Sequence, residues 1–192
     1  MPGERENYID WESFFMYQAI LASERSKDPR TQVGACIVKD HKTLSIGYNG
    51  TVAGMDDHID MPWHSNGEAT NDIMQIKNTF VYHAEANAID NYFGIPSMLQ
   101  GSTIYVTLFP CLECTKRIIQ KGIKRVVYLE LYKKADQMKA SMYMLEKAGV
   151  IVEKFENINQ IKDTSEKISN KIEKLENKRN NQNIKMRYLK RK

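Results

Sequence analysis

His83 and Glu85 lie two residues apart, and Cys111 follows 28 positions after the histidine within Pro110-Cys111-Leu112-Glu113-Cys114. One imidazole and two thiolates form a ligand set suited to zinc. Three protein ligands leave the fourth tetrahedral position for a water, whereas a structural zinc is closed by a fourth side chain. Zinc lowers the pKa of such a water toward ~7, which makes a nucleophile available at neutral pH. Glu85, two residues from a ligand, can relay the proton. The same residues admit two other readings: a structural zinc closed by His58 or His64, and a thioredoxin-type dithiol. No second redox feature accompanies the dithiol reading.

These side chains need two helix starts to hold them. Residues 82–90 are rich in helix formers and precede Gly94 and Pro96, so the pattern predicts a helix with His83 and Glu85 in its first turn. Pro110 sits just ahead of a second predicted helix, roughly 111–121, on which Cys111 and Cys114 are i,i+3 neighbours sharing a face. Free amides and the positive dipole end of such a turn lower thiol pKa, as metal ligation requires.

Around these two starts the chain alternates strands and helices. Asp10 caps a predicted helix over 11–22, and strands follow at 33–39 and 43–48 about the turn Asp40-His41-Lys42. A polar insert, 50–78, leads to the first ligand helix. Strand 102–108 leads to the cysteines, and strand 125–129, helix 135–147 and strand 150–155 complete the pattern, with Gly149 closing the last helix. The alternation predicts an α/β fold, one mixed sheet of five strands between helical layers.

The chain has 192 residues and 42% hydrophobic content, which suits one core, and no apolar run approaches the ~18 residues of a membrane span. Met1–Glu6 is charged with no apolar stretch behind it, which predicts no signal peptide and a cytoplasmic address. Three cysteines do not make a disulfide framework; Cys36, in the apolar run 33–38, reads as an inert core thiol. Charge is uneven. Residues 157–192 hold eleven Lys or Arg against four Asp or Glu, whereas residues 1–156 hold seventeen against twenty. The net charge of +4 is thus a property of the tail and gives the catalytic part no nucleic-acid footprint. The sequence predicts a catalytic domain over 1–156 and a basic Lys/Asn-rich tail over 157–192, helical or partly disordered. Ile161, Ile168, Ile172 and Leu175 share a helical stripe in that tail. The basic end, 185–192, reads as solubilising, with nucleic-acid binding as the alternative.

Beyond the metal motif, the chain resembles the deoxycytidylate (dCMP) deaminases of the zinc-dependent cytidine deaminase superfamily, which share the His-x-Glu and Pro-Cys-x-x-Cys signature. The resemblance rests on residues 11–15, Arg25-Ser26-Lys27-Asp28-Pro29, residues 31–38, Gly47-Tyr48-Asn49-Gly50, Asp56-Asp57 with Pro62-Trp63, residues 105–111 and residues 118–124, and covers about 8–156. It implies a three-layer α/β/α cytidine deaminase-like fold, hydrolysis of dCMP to dUMP and ammonia feeding thymidylate synthesis, and a homohexamer. It also implies one Zn2+ per subunit on His83, Cys111 and Cys114, with Glu85 catalytic. Related branches hold a second zinc with cysteines in the insert, and none is present here.

For the substrate, Asn49 is a side-chain amide able to donate and accept beside a strand end, or alternatively a turn residue paired with Gly50. Arg25, Ser26 and Lys27 form a compact candidate phosphate clamp: a forked guanidinium, a hydroxyl and a point charge. Their residue types alone also fit compensation of a helix dipole. Several family members are activated by dCTP with Mg2+ and inhibited by dTTP. Gly54, Asp56 and Asp57 match the small and acidic positions of the regulatory region, whereas Met55 and Thr51-Val52-Ala53 depart from it. Two further readings are a deaminase of cytidine, deoxycytidine or a base in nucleic acid, and a non-catalytic competence-type nucleic-acid-associated protein. The intact Glu85 argues against the last, which needs no such carboxylate.

Overall fold

In the computed structural model, which describes residues 3–63, 72–131 and 135–189, Asp40 and His41 adopt φ of 49° and 57° and join strands β1 (Gly34–Lys39) and β2 (Lys42–Tyr48). Two left-handed residues between Lys39 and Lys42 match the twist of an antiparallel hairpin. β1 then pairs antiparallel with β5 (Thr103–Leu108), and β6 (Arg125–Glu130) and β7 (Ile151–Lys154) extend the sheet in parallel, giving the order β2-β1-β5-β6-β7. This is the predicted mixed five-stranded sheet. A two-stranded ribbon of β3 (Gly50–Thr51) and β4 (Val81–Tyr82) lies outside it.

The hairpin register assigns the layers. Gly34 opposes Tyr48 and Gly47 opposes Ala35, so the two glycines point to opposite faces. A Cβ on Gly34 would come within 1.9 Å of the Ala19 carbonyl oxygen in helix α1 (Trp11–Ser23). A Cβ on Gly47 would come within 2.3 Å of backbone in α3 (Ala84–Asp90). The two helices therefore cover opposite faces at distances only glycine allows. Ala35, Ile37, Ile104, Val106, Val126 and Tyr128 share the α3 face with Ala84, Ala88, Ile118 of α4 (Leu112–Gln120) and Leu145 of α5 (Ala135–Lys147). On the other face Phe15 packs on Tyr105 at 5.6 Å between ring centroids. The result is the three-layer α/β/α arrangement.

Cys36 is fully buried on the α1 face, where burial pushes its thiol up to about 12, in keeping with an inert core residue. Asp10 caps α1 as its residue type suggests, accepting from the Ser13 amide at 2.7 Å. The insert is less irregular than its composition suggests: strand β3, a 3-10 turn, Ile73–Gln75, and the start of a short helix α2 (Lys77–Phe80) interrupt it. No described helix is long and apolar enough to cross a membrane.

The described chain divides into two compact units, residues 14–156 and residues 3–13 with 157–189. The N-terminal segment, placed with the catalytic domain from sequence, groups instead with the tail. The Asp10 amide donates to Gln160 Oε1 at 3.1 Å and Lys167 Nζ donates to the Asn7 carbonyl at 3.2 Å. The tail forms one helix, α6 (Ile158–Leu189), of 32 residues. Residues 190–192 lie outside the described residues.

Candidate active site

Both ligand-bearing segments are helix starts, but His83 and Cys111 stand one residue ahead of their helices. His83 (φ −74°, ψ 152°) is the N-cap of α3 and Cys111 (φ −71°, ψ 173°) the N-cap of α4. Their carbonyls open the helical ladders, accepting from Asn87 N at 2.9 Å and Thr115 N at 2.8 Å. The expected first-turn placement is thus corrected by one residue. A cap keeps extended dihedrals and leaves its side chain free to face across the helix end.

The ligand atoms converge. His83 Nδ1 lies 3.3 Å from Cys111 Sγ and 3.4 Å from Cys114 Sγ, and all three atoms fall within 4.8 Å of one another. Tetrahedral zinc with ordinary Zn–N and Zn–S bonds separates such atoms by about 3.6 Å. The donor set and its spacing therefore fit zinc. His58 is exposed and is not part of this group, which excludes it as a fourth ligand; His64 lies outside the described residues.

Electrostatics in this corner are tightly coupled. The Cys114 thiol donates toward Cys111 and holds Cys111 down at about 3, with His83 adding to the effect; the same bond, and burial, push Cys114 up. His83 is raised by its bond with Cys111. Glu85, in the first turn of α3, is only 4% exposed, and burial raises its carboxyl against the lowering charge of His83.

All four residues line a cavity of about 750 Å³ at the carboxyl end of β5, where α/β sheets commonly bind ligands. The β3–β4 ribbon completes it. Gly50 pairs with Tyr82, so the residues one step beyond, Asn49 and His83, lie side by side. Asn49 is 5% exposed and lines the cavity, but its amide is engaged. Its Oδ1 accepts from Val33 N at 2.8 Å, and its Nδ2 donates to the Thr31 carbonyl at 2.9 Å and to Asp28 at 3.4 Å.

Asp28 is the hub of that wall. Its carboxylate accepts from the Arg30 and Thr31 amides and from Lys77 Nζ at 2.8 and 2.7 Å, with the side chains 2% and 9% exposed. Asp28, Arg30, Lys77, Tyr82 and Arg117 all line the cavity and were not singled out from sequence as site residues. Asp28 lay inside a quoted block, but nothing local marks Lys77, 49 positions away. Arg117 donates to the Tyr82 hydroxyl at 2.7 Å and to Asp90 at 3.0 Å at the cavity edge.

Arg25, Ser26 and Lys27 do not line the cavity. Arg25 lies over the Tyr48 ring at 5.9 Å, the Ser26 hydroxyl accepts weakly from the Asp28 amide, and Lys27 pairs with Asp57. Their segment reaches the cavity through its next residues, Asp28, Arg30 and Thr31. In the insert, Asp57 also accepts from Thr51, and these two partners hold its carboxyl below the usual range, Lys27 foremost. Asp56 caps the His58 and Ile59 amides, and Gly54 takes φ +94°.

Comparison with known proteins follows the same lines. Residues 9–130 match the family described as the cytidine and deoxycytidylate deaminase zinc-binding region. The human protein "Deoxycytidylate deaminase" is 42% identical over 79% of this chain and 83% of its own length. "ComE operon protein 2" of Bacillus subtilis is 38% identical over 81% of this chain and 76% of its own. A solved dCMP deaminase from the cyanophage S-TIM5, in complex with dCMP and dUMP, aligns with a TM-score of 0.60 at 31% identity, covering 77% of this chain and all of that one.

Proposed function

The chain belongs to the cytidine and deoxycytidylate deaminase family, and from that premise we propose that it is the zinc-dependent enzyme converting dCMP to dUMP and ammonia. The observation that carries this reading is the meeting of His83 Nδ1, both Cys111 and Cys114 sulfurs and buried Glu85 at one cavity. His83, Cys111 and Cys114 would hold the metal. When bound, zinc acidifies water and polarises it for attack at neutral pH.

Glu85 moves the protons. Attack at the ring carbon bearing the exocyclic amine requires a base for the water proton and an acid for the ring nitrogen and departing ammonia. Burial favours its neutral form, and a divalent cation alongside favours the carboxylate, so one group can serve in both directions. Asn49 borders the pyrimidine and sugar, and with Nδ2 held by Thr31 and Asp28 it can offer them the second lone pair of Oδ1 as an acceptor. The segment carrying Arg25, Ser26 and Lys27 recognises the phosphate, with Arg30 supplying guanidinium on the cavity side. Incubation with dCMP should yield dUMP and ammonia in equal amounts, and deoxycytidine should react much more slowly. Replacing Arg30, Arg25 or Lys27 by Ala should depress dCMP turnover more than deoxycytidine turnover; equal losses would count against the phosphate assignment.

One observation favours regulation by dCTP with Mg2+ and by dTTP. The Lys27–Asp57–Thr51 link ties the insert bearing Gly54, Asp56 and Asp57 to the proposed phosphate segment. Sigmoidal dCMP saturation that becomes hyperbolic with dCTP supports this reading, and curves unchanged by either triphosphate remove it. Homohexameric assembly belongs to the same family-based reading and is checked by sedimentation.

A further inference from the structure

Helix α6 carries an apolar seam that the described residues bury only at Ile161; Ile158, at its start, is 43% exposed. Ile158, Ile161, Ser165, Ile168, Ile172 and Leu175 alternate by three and four residues, the a and d positions of three heptads, before Arg179 interrupts the next a position. Ile161 is 9% exposed, whereas Ile168, Ile172 and Leu175 are 40%, 51% and 58% exposed, and every residue from 165 to 180 is exposed. Helices in water draw most of their stability from packing such a stripe, and a repeat of 3.5 residues is suited to a supercoiled partner of the same period.

We propose that α6 pairs in parallel and in register with α6 of a second copy of this chain. The charges flanking the seam select that orientation. With Ile158 as a, Lys171 and Lys178 occupy g positions and Glu176 an e position. In a parallel pair each g residue faces the e residue five positions later on the partner, which sets Lys171 against the partner's Glu176, twice by symmetry. An antiparallel pair would set g against g, lysine against lysine. Of the described N-terminal residues, Arg5, Asn7 and Ile9 border α6 at Thr164, Lys167, Ile168 and Lys171, ahead of Ile172 and Leu175.

The test uses the full chain, loaded with zinc, bearing Leu175→Cys at a d position or Asn177→Cys at an f position as control. Under mild oxidation Leu175→Cys should give a disulfide-linked pair at least tenfold faster than Asn177→Cys. Lys171→Glu in the Leu175→Cys background should slow linkage several-fold, and Lys171→Glu with Glu176→Lys should restore it. Equal rates at 175 and 177, no linkage at either, or failure of the double exchange to restore the rate would overturn the proposal. Turnover of dCMP should stay unchanged in all these variants, so failure here is distinguishable from failure of the catalytic reading.

Discussion

The cavity has two kinds of wall. Its metal corner is made from two short chain stretches, 83–85 and 111–114, each of which presents its side chains from one helix start. Its polar wall is made from Asp28, Asn49 and Lys77, drawn from three separate segments and held by a buried ion pair and bonds to backbone. In the corner, the residues are ones that could hold a metal ion and carry a proton. In the wall, a charge buried for shape must be satisfied by distant partners, so loss of one member leaves another uncompensated. The corner should therefore fail chemically and the wall structurally.

The largest expected effect lies in the corner. Glu85→Gln should lower kcat for dCMP by about 10²–10⁴-fold while folding and zinc content stay intact, measured by steady-state kinetics and metal analysis. A variant that loses zinc or unfolds would erase the contrast with the wall. In the wall, Lys77→Met should cost about 3–5 kcal/mol of unfolding free energy in urea, because it strands the Asp28 carboxylate. Adding Asp28→Asn should recover part of that loss, since Asn Oδ1 can still accept from the Arg30 and Thr31 amides.

Proton linkage sharpens the same contrast. Cys114 is raised by its bond with Cys111 and by burial, so in the metal-free protein it holds a proton that zinc must displace. Zinc affinity should then rise with pH, about tenfold per unit for each proton released, in chelator competition between pH 6 and 8. The smallest effect belongs to the insert, outside the cavity lining. Asp57 is depressed by Lys27, so its contribution to stability is present above the ordinary aspartate pKa and disappears as pH falls through the lower folded value. Lys27 is 53% exposed, and solvent screening keeps the pair weak. Asp57→Asn should thus lower stability by under about 1 kcal/mol at pH 7, and by progressively less as pH falls through the folded value of Asp57.

Legibility in the sequence follows the same division. His83, Glu85, Cys111 and Cys114 could be grouped because short spacing on a helix start already fixes relative position. The five strands and the helices about them were legible because period, glycine and proline mark them locally. Lys77 was not, since its role exists only once residue 28 stands beside residue 77, and no local pattern encodes that meeting. Which residues of the 25–31 turn line the cavity was likewise not legible, because residue types do not say which way a turn presents them: Asp28, Arg30 and Thr31 line it, and Arg25, Ser26 and Lys27 stand beside them outside the lining. The one-residue error at each ligand helix has the same origin, because helix propensity does not separate a cap from a first-turn residue.

Everything proposed for the cavity requires that His83, Cys111 and Cys114 hold a zinc ion needed, with Glu85, for hydrolysis of dCMP. Its most direct test is dUMP formation by the purified chain before chelation, after chelation and after zinc is restored, with metal content measured at each stage. One zinc per chain is expected, with loss of dUMP formation in step with loss of metal and recovery on readdition. Full dCMP turnover by the metal-free chain would contradict it.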